Sequence, residues 1–540
     1  MVAATIAYRT QNAKMGCYQS GPTYRKEPRN SAISRCFWAF NYIYACIKDC
    51  VLIDPPYNTG NDFVYADDFA QSTDEYLENS GQFDEEGNRL VKNLDSNGRF
   101  HTDWLNMIYP RLKLAKDLLS DVGVIFISID DNEVENLKKI CDEVFGACSF
   151  IACYLKQSKV GGGSDSKFVV KEHEYCLVYA KKIDMADEMF MEHDEEYLKR
   201  YKEEDENGRF FWDTFARPGL KNPIHYDIIA PDGTVMNYGW IHGKERYEEE
   251  VKKGLVRIIP KNGGGWSVQF KQYLNTNGKK PRSMTMDFGG SIEGKTDIGK
   301  LFENEKIFSY PKSVKFIKTL LKTINDKNAV VLDFFPGSAT TAHAVMQLNA
   351  EDGGQRKFIM VQLPEETEEK SEAYKAGYKN ICEIGKERIR RAAKKIAEEN
   401  PEAKFDGGFR VLKCDSSNMK EVYYNPAEYE PSLFSRLEDN IKEDRTPEDL
   451  LFQVMLDLGV LLSSKIEETT IAGKKVFNVE DNYLIACFDD NVTEEVITEI
   501  AKQKPYYFVM RDSSMANDSV ATNFEQIFAA YSSDTVRKVL

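Results

Sequence analysis

The chain has 540 residues, with 71 Lys and Arg against 87 Asp and Glu and a formal net charge of −16. That length holds three or so domains with cores of their own, and the acidic balance excludes indiscriminate attraction to nucleic acid, so any phosphate contact must come from local basic patches. No apolar run is long enough to span a bilayer, the best candidate, residues 37–53, being broken by Lys48 and Asp49. The N-terminus lacks a basic-then-apolar leader. Eleven cysteines without Cys-x-x-Cys pairs or neighbouring His clusters point to reduced thiols, a cytoplasmic location and no metal site.

Residues 1–45 show no clear hydrophobic periodicity and read as an atypical segment; with the next few they carry Cys17, Cys36, Cys46 and Cys50. From residue 50 the pattern sharpens. Val51, Leu52 and Ile53 suit a buried strand, and the prolines of Asp54-Pro55-Pro56-Tyr57 end both helix and sheet ladder. The tetrapeptide is thereby placed at a strand's carboxyl end, where open α/β sheets hold ligands. Pro55 and Pro56 fix the backbone carbonyls there, Asp54 can accept a hydrogen bond from an amine, and Tyr57 offers a flat face for stacking. Residues 62–100 are polar and acidic, an insertion or lid over that site. Apolar residues at Leu105, Ile108, Leu112, Ala115 and Leu119 predict a helix over 103–119, and another strand follows at 123–130. Asp130 and Asp131 close that strand and read as strand-end residues, not as a catalytic pair. The Gly161-Gly162-Gly163 loop precedes a strand at 174–179 and, with no following Lys-Ser or Lys-Thr, is not a P-loop.

From about 185 to 295 the pattern changes to short segments, aromatic residues and turns such as Asp232-Gly233 and Asn262-Gly263. Lys261, Lys271, Lys279, Lys280 and Arg282 are interleaved there with Trp266, Phe270 and Tyr273, a candidate phosphate-binding face. A second basic cluster, Lys386, Arg388, Arg390, Arg391, Lys394 and Lys395, falls on a helix predicted over 373–398. Further on, Val330 to Asp333 form a buried strand, Pro336-Gly337-Ser338 a tight turn, and Ala339 onward a helix. A turn of this kind lets backbone N–H groups and a helix N-terminus approach a ligand closely. A strand over 357–363 ends at Pro364-Glu365, and an acid in that place commonly bonds ribose hydroxyls; Glu365 is the candidate and Glu366 the alternative. Residues 405–540 mix helical and β-like stretches, with a hairpin near Val476 and Phe477 and no catalytic constellation. The chain carries no Walker A motif and no nuclease-like carboxylate–lysine cluster.

Asp54-Pro55-Pro56-Tyr57 followed by Phe335-Pro336-Gly337-Ser338-Ala339, a form of Phe-x-Gly-x-Gly with Ala339 for the last glycine, resembles the amino-methyltransferases that use S-adenosylmethionine (SAM). The motif order is the one in which Asp-Pro-Pro-Tyr comes first. The wider stretches Asp54 to Gly60, Trp104 to Ala115, Val124 to Glu133 and Arg356 to Glu365 resemble the modification (Mod) subunits of type III restriction–modification systems, over most of the chain. That resemblance implies an α/β fold: the Rossmann-like sheet of SAM-dependent methyltransferases, built from a catalytic half (46–184) and a SAM-binding half (296–404). A target-recognition domain (185–295) is inserted between them, and a mixed α+β assembly domain (405–540) follows. It implies Asp54, Pro55, Pro56 and Tyr57 at a flipped-out adenine, and Asp333, Phe335, Gly337, Ser338, Ala339, Thr340 and Glu365 at SAM, with no metal. Asp at the first motif position is similar to the enzymes that methylate adenine. Double-stranded DNA is the implied substrate, and a second Mod subunit and an ATP-dependent restriction (Res) subunit are the implied partners. Arg217, Asn222, His225, Asn237, Trp240 and Arg257 are candidate base readers. A catalytically silent recognition subunit and a stand-alone epigenetic methyltransferase are the alternatives. Residues 310–326, Tyr-Pro-Lys-Ser-Val followed by an amphipathic helix, resemble the family segment that precedes the cofactor strand and lines the cofactor pocket, whereas the family's upstream strand, Gly-Asp-Asn-type turn and helix are not recognisable in residues 1–45.

Overall fold

A seven-stranded sheet is the central element of the computed structural model, which describes residues 2–3, 49–60, 100–158, 167–217, 219–261, 263–285, 289–413, 417–420 and 441–540. Nearly all of the atypical 1–45 segment and of the acidic 62–100 insertion, the triple-glycine loop and Asn262 lie outside the described residues. In chain order the elements of the sheet and its helices are β1 (Cys50–Ile53), α1 (Phe100–Leu118), β2 (Val124–Ile129), α2 (Val134–Phe145), β3 (Phe150–Gln157) and β4 (His173–Ala180). After the intervening unit come β5 (Met284–Thr285), α3 (Ser291–Phe302), α4 (Val314–Lys322), β6 (Val330–Asp333), α5 (Thr340–Asp352), β7 (Lys357–Met360) and α6 (Ile381–Glu399). The strand order across the sheet is β5-β3-β4-β2-β1-β6-β7. Every neighbouring pair is parallel except the two made by β4.

β1 and β2 are buried along their whole length, as largely apolar strands in the middle of a sheet covered on both faces should be. The strand order reverses between β1 and β6, since the chain continues from β1 toward β2 on one side and from β6 toward β7 on the other. Such a reversal opens a crevice at the strands' carboxyl ends. Cys50 pairs with Val331 and Val51 with Leu332, so the residues after Ile53 and after Asp333 emerge side by side.

α1 packs Trp104, Ile108, Leu112 and Ala115 inward, the face its spacing predicts, except that Trp104 is fully buried and Leu105 only partly so. Two boundaries differ from expectation: the strand expected over 357–363 ends at Met360, and the helix expected from 373 starts at Ile381, after the single turn Glu372–Lys375 and Gly377 in a left-handed conformation (φ 92°).

Residues Glu188–Pro281 form a separate compact unit. Its four-stranded antiparallel sheet runs in the order Val256–Pro260, Trp266–Tyr273, Gly208–Thr214, Glu203–Asp205, over a core of Phe215, Ile228, Trp240, Val268 and Phe270. Trp240 is fully buried and its indole N–H donates to the Tyr226 carbonyl at 2.7 Å, so it is a core residue and not a base reader. Phe270 is likewise buried. Lys271, Lys279 and Lys280 are paired with Asp205, Asp194 and Glu188, which leaves less free positive charge on this face than the sequence suggests.

The C-terminal residues build a five-stranded mixed sheet in the order Ile466–Ile471, Lys474–Val479, Leu484–Cys487, Tyr507–Met510, Val536–Val539. One face packs against Glu494–Lys502 and Asp518–Tyr531, through Ile485, Ile497, Phe508 and Phe528. The other packs against Pro447–Asp457 through Leu451, Met455 and Phe477. No helix among the described residues is long and apolar enough to cross a membrane.

One close approach positions the site directly. A Cβ on Gly294 of α3 would stand 2.0 Å from the Pro311 carbonyl oxygen, whereas one on Gly299 would meet only the Glu305 side chain. Gly294→Ala is expected to lower stability by about 1–3 kcal/mol through overpacking, read as a lower urea midpoint, while Gly299→Ala stays near the parent because the gain in helix propensity offsets the softer contact.

Candidate active site

The turn after β1 is held by two neighbours. Trp104 Nε1 donates to the Pro56 carbonyl at 2.7 Å. Asn58, left-handed at φ 59° and buried, donates through Nδ2 to Glu133 Oε1 at 2.5 Å. Glu133 is itself buried and also binds His101 at 2.6 Å and Asn136 at 2.8 Å. A carboxylate with three side-chain partners, set just after β2, thus fixes the tetrapeptide from beneath.

A four-charge network lies on the tetrapeptide. Lys312 Nζ is 3.1 Å from Asp54 Oδ1 and 3.3 Å from Glu174 Oε2, donates to the Tyr57 hydroxyl, and sits 4.6 Å from the Tyr57 ring centre. Tyr57 donates to Glu174 Oε2 at 3.4 Å, and Lys156, itself buried, reaches the same oxygen at 3.4 Å. Burial raises the Asp54 pKa above the ordinary carboxylate range, Lys312 opposes this and Glu174 adds to it. Burial would raise Glu174 too, but Lys312 and Lys156 outweigh it and hold that carboxyl down to about 2. Lys312 is held above its ordinary value: burial acts to lower it, and Asp54 and Glu174 prevail. Burial and then the neighbouring Lys312 push Lys156 down. Asp54 Oδ1 is buried and, despite the nearby ammonium, receives no well-aligned hydrogen bond among the described residues.

The turn after β6 is built from within. Asp333 is buried and accepts from the Phe335 N–H at 3.0 Å and the Thr341 hydroxyl at 2.6 Å; burial pushes its pKa up to about 7. Both oxygens serve protein donors, so its part is to shape the turn. Gly337 (φ 50°) donates its N–H to Gln362 Oε1 at 3.0 Å, and a Cβ there would stand 3.0 Å from Phe308 Cζ. Ala339 is also left-handed (φ 61°) and stands at the N-cap of α5, which has no side-chain cap. Phe335 is buried beside Phe334, their ring centres 5.3 Å apart. Arg388, fully buried on α6, donates to Ser338 Oγ at 2.7 Å and to Thr340 Oγ1 at 2.6 Å. Glu365 is half-buried on the loop after β7, and Glu366 is exposed.

The structure therefore brings Asp54, Tyr57, Asp333 and the 335–340 turn to adjoining strand ends. It also adds Lys312, Glu174, Lys156, Glu133 and Gln362, which no local spacing marks. In the second basic cluster Arg388 is buried, and Lys386, Arg390, Arg391, Lys394 and Lys395 are paired along their own helix with Glu383, Glu387, Glu398 and Glu399, which leaves less free positive charge there than the sequence suggests. Asp130 turns back onto Asn132, and Asp131 binds Tyr175 and Lys171, the strand-end role expected. Among the described residues no group of His, Cys, Asp and Glu is arranged to hold a metal, and Cys50, Cys141, Cys148, Cys153, Cys176, Cys382 and Cys487 are free thiols.

Residues 48–395 match the DNA methylase family. The StyLTI Mod subunit of a type III restriction–modification enzyme from Salmonella typhimurium is 41% identical over 377 residues, covering 68% of this chain and 57% of the relative. The EcoPI Mod subunit of Escherichia phage P1 is 31% identical over 85% of this chain and 75% of its own length. The EcoP15I Mod subunit of Escherichia coli is 30% identical over 89% and 78%. With the sheet order, the two adjoining turns and these likenesses together, the chain belongs to the DNA methylase family and, within it, to the Mod subunits of type III restriction–modification enzymes.

Proposed function

We propose that this chain transfers a methyl group from SAM to the exocyclic N6 amine of adenine in double-stranded DNA, as the modification subunit of a type III system in the cytoplasm. A second Mod subunit and a Res subunit are its partners in that system. The observation that carries the reading is the adjoining placement, at the sheet's reversal point, of a buried carboxylate paired with an ammonium and a small-residue turn leading into an uncapped helix.

The residues fit SAM. Gly337 and Ala339 bring backbone close without bulky side chains, the N-terminus of α5 suits a carboxylate, and Glu365 stands where ribose hydroxyls are bonded. SAM supplies an activated methyl group. The chain itself positions and desolvates the reactants. The adenine amine is out of reach in a stacked duplex, so the base is flipped out at a cost of a few kcal/mol. Tyr57 stacks on it, while Asp54 and the Pro55 carbonyl accept its N–H hydrogens. As the amine nitrogen forms its bond to the methyl carbon it must give up one proton; Asp54 is placed to take it and release it to water. Asp at the first motif position is the feature that favours adenine over cytosine. Glu188–Pro281 is the proposed recognition unit, with Arg217, Asn222, His225, Asn237 and Arg257 as its candidate readers.

Transfer from labelled SAM to mixed genomic DNA, followed by base analysis, tests this reading. The expected product is N6-methyladenine from the parent and none from Asp54→Ala; methylcytosine, or no transfer by a folded chain that binds DNA, overturns it. Asp333 gives a separate expectation for stability. Its folded pKa of about 7 exceeds the ordinary 3.8, so the native state holds this proton more tightly than the unfolded chain. Its contribution is full below about pH 4 and falls as the pH rises through 7. Asp333→Asn keeps an acceptor and removes the titration, so the variant should gain on the parent, by on the order of 2 kcal/mol, between pH 5 and pH 8 in urea unfolding.

A further inference from the structure

Lys312 belongs to neither motif yet touches both. Its ammonium lies on Asp54, Tyr57 and Glu174, while its backbone carbonyl accepts from Thr340 Oγ1 at 3.3 Å, in the turn that leads into α5. Ser313, the next residue, caps α4 by accepting from the Phe316 N–H at 3.2 Å. The backbone that carries Lys312 is thus anchored on both sides, and only the side chain is free to change partner.

Among the described residues Lys312 is the one cation within 4.0 Å of Asp54. The other titratable groups near this pair are Tyr57 after β1, Asp130 after β2, Lys156 on β3, Glu174 and Cys176 on β4, and Asp333 at the end of β6. Most of them are acids, so without Lys312 the balance at Asp54 would favour the neutral carboxyl. An ammonium and an aromatic amine compete for the same carboxylate lone pairs, because both donate N–H. Glu174, 3.3 Å from Lys312, is a second seat for the ammonium that does not require it to leave the site.

We infer that Lys312 is a positioning residue for methyl transfer: held by Glu174, it keeps Asp54 ionised, stands in the amine's place while the site is empty, and shifts onto Glu174 when the base enters. The inference rests on the functional reading above. It assigns Lys312 and Glu174 a role in readying the acceptor, distinct from holding SAM or stacking the base.

The test is single-turnover methyl transfer to genomic DNA from pH 5 to pH 9 for the parent, Lys312→Met, Lys312→Arg and Glu174→Gln, with SAM binding measured on the same proteins. In Lys312→Met the acid limb of the rate should move up by about one pH unit or more, since Asp54 then protonates more readily. Lys312→Arg should return most of that shift. Glu174→Gln removes a neighbouring negative charge and should move the limb the opposite way, a sign that mere structural damage would not give. SAM affinity should stay within about threefold of the parent, under 1 kcal/mol. A parent that transfers while Lys312→Met keeps the parent's acid limb, or a loss in Lys312→Met that SAM binding accounts for entirely, overturns the inference alone. A parent that transfers nothing overturns the functional reading and this inference with it.

Discussion

The parallel pairing of β1 with β6 sets Cys50 against Val331 and Val51 against Leu332, and the site depends on that register. A slip of one residue would turn every buried side chain of β1 to the other face, carrying Asp54 away from the Asp333 turn. The amino end of the pair is pinned as well, since the Val330 N–H donates to Asp49 Oδ2 at 3.3 Å. These two strands are brought together from distant parts of the chain, with Glu188–Pro281 folded as its own unit between them. Loop-closure entropy grows only with the logarithm of length, so an inserted unit with its own core adds little to the cost of pairing the two halves.

What that pairing joins is a neutral cluster: two carboxylates, Asp54 and Glu174, and two ammonium groups, Lys312 and Lys156, with Lys312 and Glu174 also bonded to the Tyr57 hydroxyl. Ion pairs taken out of water are costly to form and costlier to break singly, because the partner left behind keeps its desolvation penalty. The acceptor carboxylate is therefore not an isolated acid waiting for a substrate. It is one corner of a balanced set, and the incoming amine must exchange with a resident ammonium. Beneath it, Glu133 with Asn58, His101 and Asn136, and Trp104 on the Pro56 carbonyl, hold the backbone that aims the site, so the exchange happens on a fixed frame.

The parts of this arrangement with local signals were legible in the sequence. β1, β2, α1 and the 336–338 turn are specified by apolar runs, helical spacing, prolines and glycine within a few residues of one another, and Asp54 and Tyr57 are carried by their tetrapeptide. What was not legible has no local signal. Lys156 and Glu174 lie on β3 and β4 and meet Lys312 only through the sheet order; the stretch that carries Lys312 was marked by resemblance, but not its contact with Asp54, and the antiparallel direction of β4 leaves no trace in an apolar run that would read the same either way. Composition misled twice, and for one reason. Trp240, a candidate base reader, is core, while Arg388, grouped with lysines and arginines as a candidate phosphate contact, is fully buried; helical or strand position, not neighbouring composition, decides which way a side chain faces.

Arg388 also accounts for how an alanine stands at Ala339, where the resemblance to Phe-x-Gly-x-Gly has a glycine. Ala339 takes the place of a glycine at φ 61°, a left-handed conformation that costs a residue with a Cβ roughly 1–2 kcal/mol. The same guanidinium nitrogen of Arg388 binds Ser338 Oγ and Thr340 Oγ1, the residues on either side of Ala339, and the Ala339 N–H donates to the Pro336 carbonyl at 2.7 Å. Ala339 is thus held between two clamped neighbours and cannot relax without breaking charge-assisted bonds worth about as much as the strain. The turn keeps its shape because a buried cation on α6 imposes it from outside, so the backbone path is retained with an alanine at this position.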